Sequence, residues 1–343
     1  MDPLSDILTM LTVERAASLR FESSGPYAMR FGGYEHIKFG AVLCGRLRLW
    51  VDGDPEHLDL GPGDCYLLTD GRPYRTSNCD NAAEIDGNAF FAERIDQDGV
   101  VRLGSEPPDK IVIGGRFAFD KEGAEWLRGA LPTKIHIPAS SPAAGPLSAT
   151  LSLMRSEPCG TALGNTIMFD RLADILLIQA IRAHLAMAGP QAASWLYGLT
   201  DPRIGAALRR FHSDVAADWT VANLASLAGM SRSSFAERFR ERVGVTPIDY
   251  LTRWRLFRVR RSLIDSDLPF TTIAARNGYN SRTSCSQAFR RMFGCSPHDI
   301  RAKGAGDSGS DAEGIRRDED RRRINYEGGG HFAGIGTLGP TVD

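Results

Sequence analysis

The sequence predicts a two-domain α+β chain: a small β-barrel with a helical appendage, then an all-α domain built on two helix-turn-helix units, then a disordered tail. Three observations predict it. Residues from about 20 to 118 carry short apolar runs between turn signals spaced roughly every ten residues. Beyond about residue 121 the apolar period lengthens to that of a helix. Residues 201–302 then hold a near-repeat of helix, glycine turn and serine-capped helix.

The first half reads as strands. Runs such as Ala41-Val42-Leu43-Cys44 and Cys65-Tyr66-Leu67-Leu68 sit between Phe31-Gly32-Gly33, Val51-Asp52-Gly53-Asp54-Pro55, Leu60-Gly61-Pro62-Gly63-Asp64 and Asp70-Gly71-Arg72-Pro73. Leu47, Leu49 and Val51 alternate with Arg46, Arg48 and Trp50, the period of a half-buried strand. An amphipathic helix follows at about 161–187, stopped by Gly189-Pro190. The expected boundaries are a barrel domain over 1–190, a linker over 191–200, the helical domain over 201–302 and a tail over 303–343. The tail, with Arg316-Arg317-Asp318-Glu319-Asp320-Arg321-Arg322-Arg323 and Gly328-Gly329-Gly330, has too few apolar residues for a core.

Composition limits the function classes. Hydrophobic content of 42% and charged content of 24% suit a soluble protein. No apolar run reaches the roughly 18 residues that cross a bilayer. The opening Met1-Asp2-Pro3-Leu4-Ser5-Asp6 lacks the basic and apolar regions of a signal peptide. The six cysteines (44, 65, 79, 159, 285 and 295) form no Cys-x-x-Cys pair, which reads as reduced thiols in cytoplasm. A net charge of −1 conceals an asymmetry. Residues 200–302 hold 17 arginines, no lysine and 9 carboxylates, a net +8, against −7 for residues 1–199 and −2 for the tail. A basic module on an acidic one suggests a polyanionic partner for that module alone.

The helix-turn-helix units name the partner. In the first, about 221–243, Val221, Leu224, Ala225 and Ala228 form one helical face and Gly229 makes the turn. Ser231 caps a second helix that buries Phe235, Phe239 and Val243 and exposes Arg232, Ser233, Ala236, Glu237 and Arg240. In the second unit, about 270–293, the supporting helix runs over Pro269–Asn277, and Gly278-Tyr279-Asn280-Ser281 is the turn and cap. Its second helix, Arg282–Phe293, buries Cys285, Ala288, Phe289 and Phe293 and exposes Thr283, Ser286, Gln287, Arg290 and Arg291. One long helix from Pro247 to about Asp265 joins the units. A helix presenting short polar side chains fits the DNA major groove, while arginines neutralise phosphates. A plain helical bundle with glycine turns is the alternative. Two matched units within an arginine-only segment weigh against it.

Residues 200–302 resemble the DNA-binding domain of the AraC/XylS family. The carriers are Trp219-Thr220-Val221-x-x-Leu224-Ala225, Met230-Ser231-Arg232-Ser233-x-Phe235-x-x-x-Phe239, Gly244-x-x-Pro247-x-x-Tyr250-Leu251-x-x-Trp254-Arg255, Ile273-Ala274-x-x-x-Gly278-Tyr279-x-Ser281, Ala288-Phe289-x-Arg291-x-Phe293-Gly294 and Ser296-Pro297-x-x-x-Arg301. Cys285 departs from the family, which has Phe there, and is expected to loosen the second unit. The resemblance implies base reading at Ser233, Ala236 and Glu237 in the first unit, and at Arg282, Thr283, Ser286 and Gln287 in the second. It implies phosphate contacts at Arg232, Arg240 and Arg290. The implied partners are double-stranded promoter DNA, a second copy of the chain, RNA polymerase and an unidentified small-molecule effector, with no membrane.

Residues 2–187 resemble the cupin-like sensor domain of one branch of that family. The carriers include His36-Ile37-Lys38-Phe39, Gly61-x-Gly63-Asp64-x-Tyr66-Leu67-Leu68, Gly71-Arg72-Pro73, Gly115-Arg116-Phe117, Leu131-Pro132 and Arg171-Leu172-Ala173-Asp174-Ile175-Leu176. Metal-binding cupins use a His-x-His pair and a later histidine. Here the strand offers only His36, Gly40 stands near the usual ligand position, and the later position is Tyr74. Too few N/O ligands remain for a metal, so no metal, no cofactor and no enzymatic role is expected. His36 and Tyr74 are candidate ligand-pocket residues, with a structural histidine as the competing reading. Cys44, Cys65 and Cys79 raise redox sensing, against which buried structural thiols are the simpler account. The leading reading is a transcription regulator whose barrel and 161–187 helix dimerise and sense a signal. The alternatives are a cupin-type enzyme with an appended helical domain and an effector-independent DNA-binding dimer.

Overall fold

The computed structural model describes residues 3–10, 13–96, 99–105, 107–119, 126–156, 163–187 and 194–302. The tail expected over 303–343 and Cys159 lie outside them. The described residues form two compact units: those up to 214 with 219–250, and 215–218 with 251–302.

The first unit begins with helix α1 (Pro3–Met10) and strands β1 (Val13–Ser23), β2 (Ala28–Phe31), β3 (Ile37–Cys44), β4 (Leu47–Val51), β5 (Leu58–Leu60), β6 (Cys65–Leu68), β7 (Tyr74–Ser77) and β8 (Glu84–Asp86). Helix α2 (Gly87–Arg94) precedes β9 (Val100–Leu103), β10 (Lys110–Phe119) and β11 (Lys134–Ile137). The strands form two sheets, β11-β6-β3-β10-β1-β9 and β5-β4-β7-β2-β8. Their facing side chains, among them Phe21, Met29, Val42, Leu49, Tyr66 and Val112, make one core. The predicted period in β4 holds: Leu47, Leu49 and Val51 are buried while Arg48 and Trp50 are half-exposed. Strand β6 is buried throughout, so its continuous apolar run carries no alternation.

Gly40 of β3 pairs with Tyr66 of β6. A methyl group on Gly40 would come within 2.3 Å of the Tyr66 ring and hydroxyl, so only glycine admits that ring. Helices α3 (Gly145–Ser156) and α4 (Asn165–Met187) follow. Helix α4 buries Leu172, Ala173, Leu176, Leu177, Ala180 and Ile181 and leaves Ile167, Met168 and Ile175 exposed.

Residues 194–200, expected in a linker, form part of this unit. Ser194 and helix α5 (Trp195–Thr200) bury Trp195 and Leu196. The Ser194 hydroxyl donates to Ala130 O at 2.9 Å, and its N–H donates to Arg242 O at 3.1 Å. The tryptophan supplies burial that a polar linker would lack. Helices α6 (Pro202–Ser213), α7 (Val221–Leu227) and α8 (Arg232–Val243) complete the unit. Buried Ile204, Leu208, Phe211, Leu224, Phe235, Phe239 and Tyr250 form its helical core.

Helix α9 (Pro247–Asp265) carries buried Trp254, Leu256 and Leu263. In the second unit, Leu256, Val259 and Leu263 pack with Ile273, Ala274, Cys285, Phe289 and Ile300 from helices α10 (Phe270–Arg276), α11 (Arg282–Phe293) and the segment beyond. Ala288 and Phe293, expected to be buried, are only half-buried: they pack against the outside of this cluster while Phe289 between them is fully enclosed.

Candidate functional site

Each helix-turn-helix unit positions its outer helix through local chemistry. In the first, Thr220 and Asn223 form a reciprocal cap on α7: Asn223 N–H donates to the threonine hydroxyl at 3.2 Å, and Thr220 N–H donates to the asparagine carbonyl at 2.8 Å. Ser231 caps α8 by accepting from Ser234 N–H, and Ser281 caps α11 by accepting from Ser284 N–H. Gly244 and Gly294 end those helices at φ +83° and +70°, a conformation that strains any side-chain-bearing residue.

The two outer helices share one exposure pattern. Residues 231–240 and 281–290 match position for position: four exposed residues, a buried one, a half-buried one, an exposed one, a half-buried one, a buried one and an exposed one. The buried anchors are Phe235 and Phe239 in α8, Cys285 and Phe289 in α11. Arg232, Ser233, Glu237 and Arg240 are therefore exposed along one helix, and Arg282, Thr283, Gln287 and Arg290 along the other, with Ala236 and Ser286 half-buried. Cys285 is fully buried, and burial pushes its thiol up to about 12.

Asp201 is a residue the sequence reading missed. Its buried carboxylate accepts from Arg203 N–H and Ile204 N–H at 3.0 Å, capping α6, and pairs with Arg238 of α8 at 2.8 Å. Burial raises its carboxyl, but the Ile204 N–H, Arg238 and the Arg203 N–H outweigh that and hold it below the usual range. Asp201-Pro202 is a helix-start signal, whereas a partner 37 residues onward leaves no trace in sequence.

The barrel encloses a cavity of about 530 Å³. His36 and Tyr74 both line it, with Phe21, Met29, Tyr66 and Val112 as part of its apolar wall. Burial pushes His36 down to about 4, helped by Lys38, Arg116 and Arg128, so it is neutral near pH 7. Tyr74 is buried, stacks on Phe31 at 4.6 Å and has its phenol raised well above the ordinary value by desolvation.

Two further cavity residues, Lys38 and Arg116, belonged to motifs but were not singled out as site residues. The Lys38 ammonium donates to the Tyr74 hydroxyl at 3.3 Å. It also lies 5.2, 4.6 and 4.7 Å from the ring centres of Phe31, Tyr34 and Tyr74. A period of two places Lys38 on the same strand face as His36, which is the signal that could have found it. The donors do not suit the metal of metal-binding cupins. Gly40 supplies no ligand, Tyr66 covers it, and two cations line the space. Among the described residues no three His, Cys, Asp or Glu side chains converge. Among those residues, no helix is long and apolar enough to cross a membrane.

The cupin family model matches residues 2–186, and a helix-turn-helix domain model matches residues 224–303. An AraC-like transcription regulator of Streptomyces antibioticus is 40% identical over 88% of this chain and 98% of its own length. The HTH-type transcriptional regulator AlkR of Acinetobacter baylyi is 30% identical over 88% of this chain and 99% of its own length. The DNA-binding domain of AdpA, solved in complex with a target DNA, is 32% identical over 30% of this chain and 92% of that domain, with a TM-score of 0.29. With a cupin domain ahead of its helix-turn-helix region, the chain belongs to the AraC-like family of DNA-binding transcription regulators.

Proposed function

We propose that the chain is an effector-responsive regulator without enzymatic activity, acting in the cytoplasm, whose barrel cavity takes the effector and whose two outer helices read promoter DNA. Ser233, Ala236 and Glu237 read bases from α8, and Arg282, Thr283, Ser286 and Gln287 read them from α11. Arg232, Arg240 and Arg290 hold phosphates. The functional modules are the barrel over 1–190 and the DNA-binding region over 201–302. Two copies associate through α4, where Ile167, Met168 and Ile175 stand exposed, and the bound dimer meets RNA polymerase.

The observation that carries this reading is the shared exposure pattern of α8 and α11. Aromatic anchors or a buried thiol fix each helix from below, and the first turns present polar side chains to solvent. Fluorescence anisotropy of the full chain on a bound promoter fragment tests it. Arg240→Ala weakens binding to all sequences alike and reduces the salt slope by about one. Gln287→Ala changes base preference by about 1–3 kcal/mol at the contacted pair. If Gln287→Ala leaves both affinity and preference intact, α11 does not read bases.

A further inference from the structure

The barrel cavity carries a charge imbalance. Lys38 of β3 and Arg116 of β10 are direct partners in the antiparallel ladder, so their side chains leave the sheet on the same face. Like charges placed opposite one another oppose folding. Both line the cavity, and among the described residues neither forms an ion pair or hydrogen bond with a carboxylate.

The lysine is not satisfied by its cage. An ammonium has three N–H donors, and the described residues give Lys38 one acceptor, the Tyr74 hydroxyl. The three rings around it offset some lost hydration through their π-faces, but they accept no full hydrogen bond. Burial, reinforced by Arg116, pushes the ammonium down to about 8. Nearby, Arg128 Nε is buried without a partner among the described residues, as is the Tyr34 hydroxyl. The rest of the wall is mainly aromatic and aliphatic, with His36, Thr76 and Asn88 as its polar members.

We propose that the cavity takes an organic monoanion, a carboxylate on an apolar body, with its head group at Lys38 and Arg116 and its body against Phe21, Met29, Tyr66 and Val112. This rests on the reading of the cavity as the effector site and adds the chemistry of the effector. A carboxylate supplies acceptors for the idle ammonium and guanidinium protons and neutralises the facing cations. A divalent cation is repelled by them. A wholly polar anion would leave the apolar wall uncovered.

Calorimetry on the full chain tests this with matched pairs that differ only in the head: octanoate against octanol, and phenylbutyrate against phenylbutanol. The expected result is that at least one carboxylate binds about tenfold or more tighter than its alcohol. Lys38→Met is expected to remove about that advantage and to leave the alcohol within about threefold of wild type. Lys38→Arg, which keeps the charge, retains most of it and controls for folding. If an alcohol binds as well as its carboxylate and Lys38→Met changes neither, the anionic head group is overturned while the cavity stands as a binding site. If neither member of either pair binds, the effector reading of the cavity falls with it.

Discussion

Gly40 lies directly beneath the ring of Tyr66, so that a single added methyl would come within 2.3 Å of that ring. Gly40→Ala is therefore expected to destabilise the barrel by about 1–3 kcal/mol through overpacking. In a Tyr66→Leu background the same change should cost less, since the residues share one volume. Urea unfolding of the four proteins measures both costs. Equal costs in the two backgrounds would remove the Tyr66 ring as the cause.

The Asp201–Arg238 pair ties the start of α6 to α8. Asp201→Ala loses a helix cap and leaves Arg238 unpaired, an expected cost of about 2–4 kcal/mol. Asp201→Asn keeps an acceptor and costs less. The wild-type carboxyl lies below its usual range, so its stabilisation is complete above the unfolded value of about 3.9 and fades as pH falls through the folded value. The stability gap between wild type and Asp201→Asn should accordingly be full near neutrality and shrink in acid. A gap independent of pH would show that the charge does not contribute.

Thiol reactivity separates the cysteines. Cys44 is exposed, whereas Cys65 and Cys285 are buried and burial pushes both thiols up to about 12. A chromogenic disulfide reagent at mildly alkaline pH is expected to modify Cys44 in the folded chain and to reach Cys65 and Cys285 only on unfolding. Rapid modification of Cys65 in the folded protein would revive a redox role for the barrel interior.

Carboxylate binding in the cavity should weaken as pH rises through about 8, where Lys38 loses its proton in the empty site. The groups that face it are His36 on its own strand, Arg116 from β10, Tyr74 from β7 and Tyr34 from the loop before β3. His36 is already neutral and both phenols are raised by burial, so none of them reverses the trend. Titrating octanoate at pH 6.5 and pH 9.5, pH values on either side of about 8, reads the effect. Unchanged affinity across that range would mean that the Lys38 charge takes no part.

Local patterns were legible in the sequence and distant pairings were not. The alternation of Leu47, Leu49 and Val51, the serine caps at 231 and 281 and the Phe235–Phe239 spacing each act within a few residues, so the sequence displays them directly. The barrel cavity was legible only as two isolated candidates, His36 and Tyr74. What unites them is Lys38, held by a tyrosine 36 residues away, and Arg116, brought alongside by strand pairing. The helix at 195–200, within the stretch expected to be a linker, was hidden for the same reason. Trp195 is buried through partners such as Trp126 that lie far back in the chain. Cys285, small for an anchor, is nevertheless buried in one cluster with Phe289 and Ile273, which lie four and twelve residues away.

Selection of bound duplexes from a random pool by the full chain tests both outer helices at once. A motif with two short blocks is expected to be enriched, of which Glu237→Ala degrades one and Gln287→Ala the other. Recovery of no motif above the starting pool, or of one unchanged by both substitutions, would contradict it.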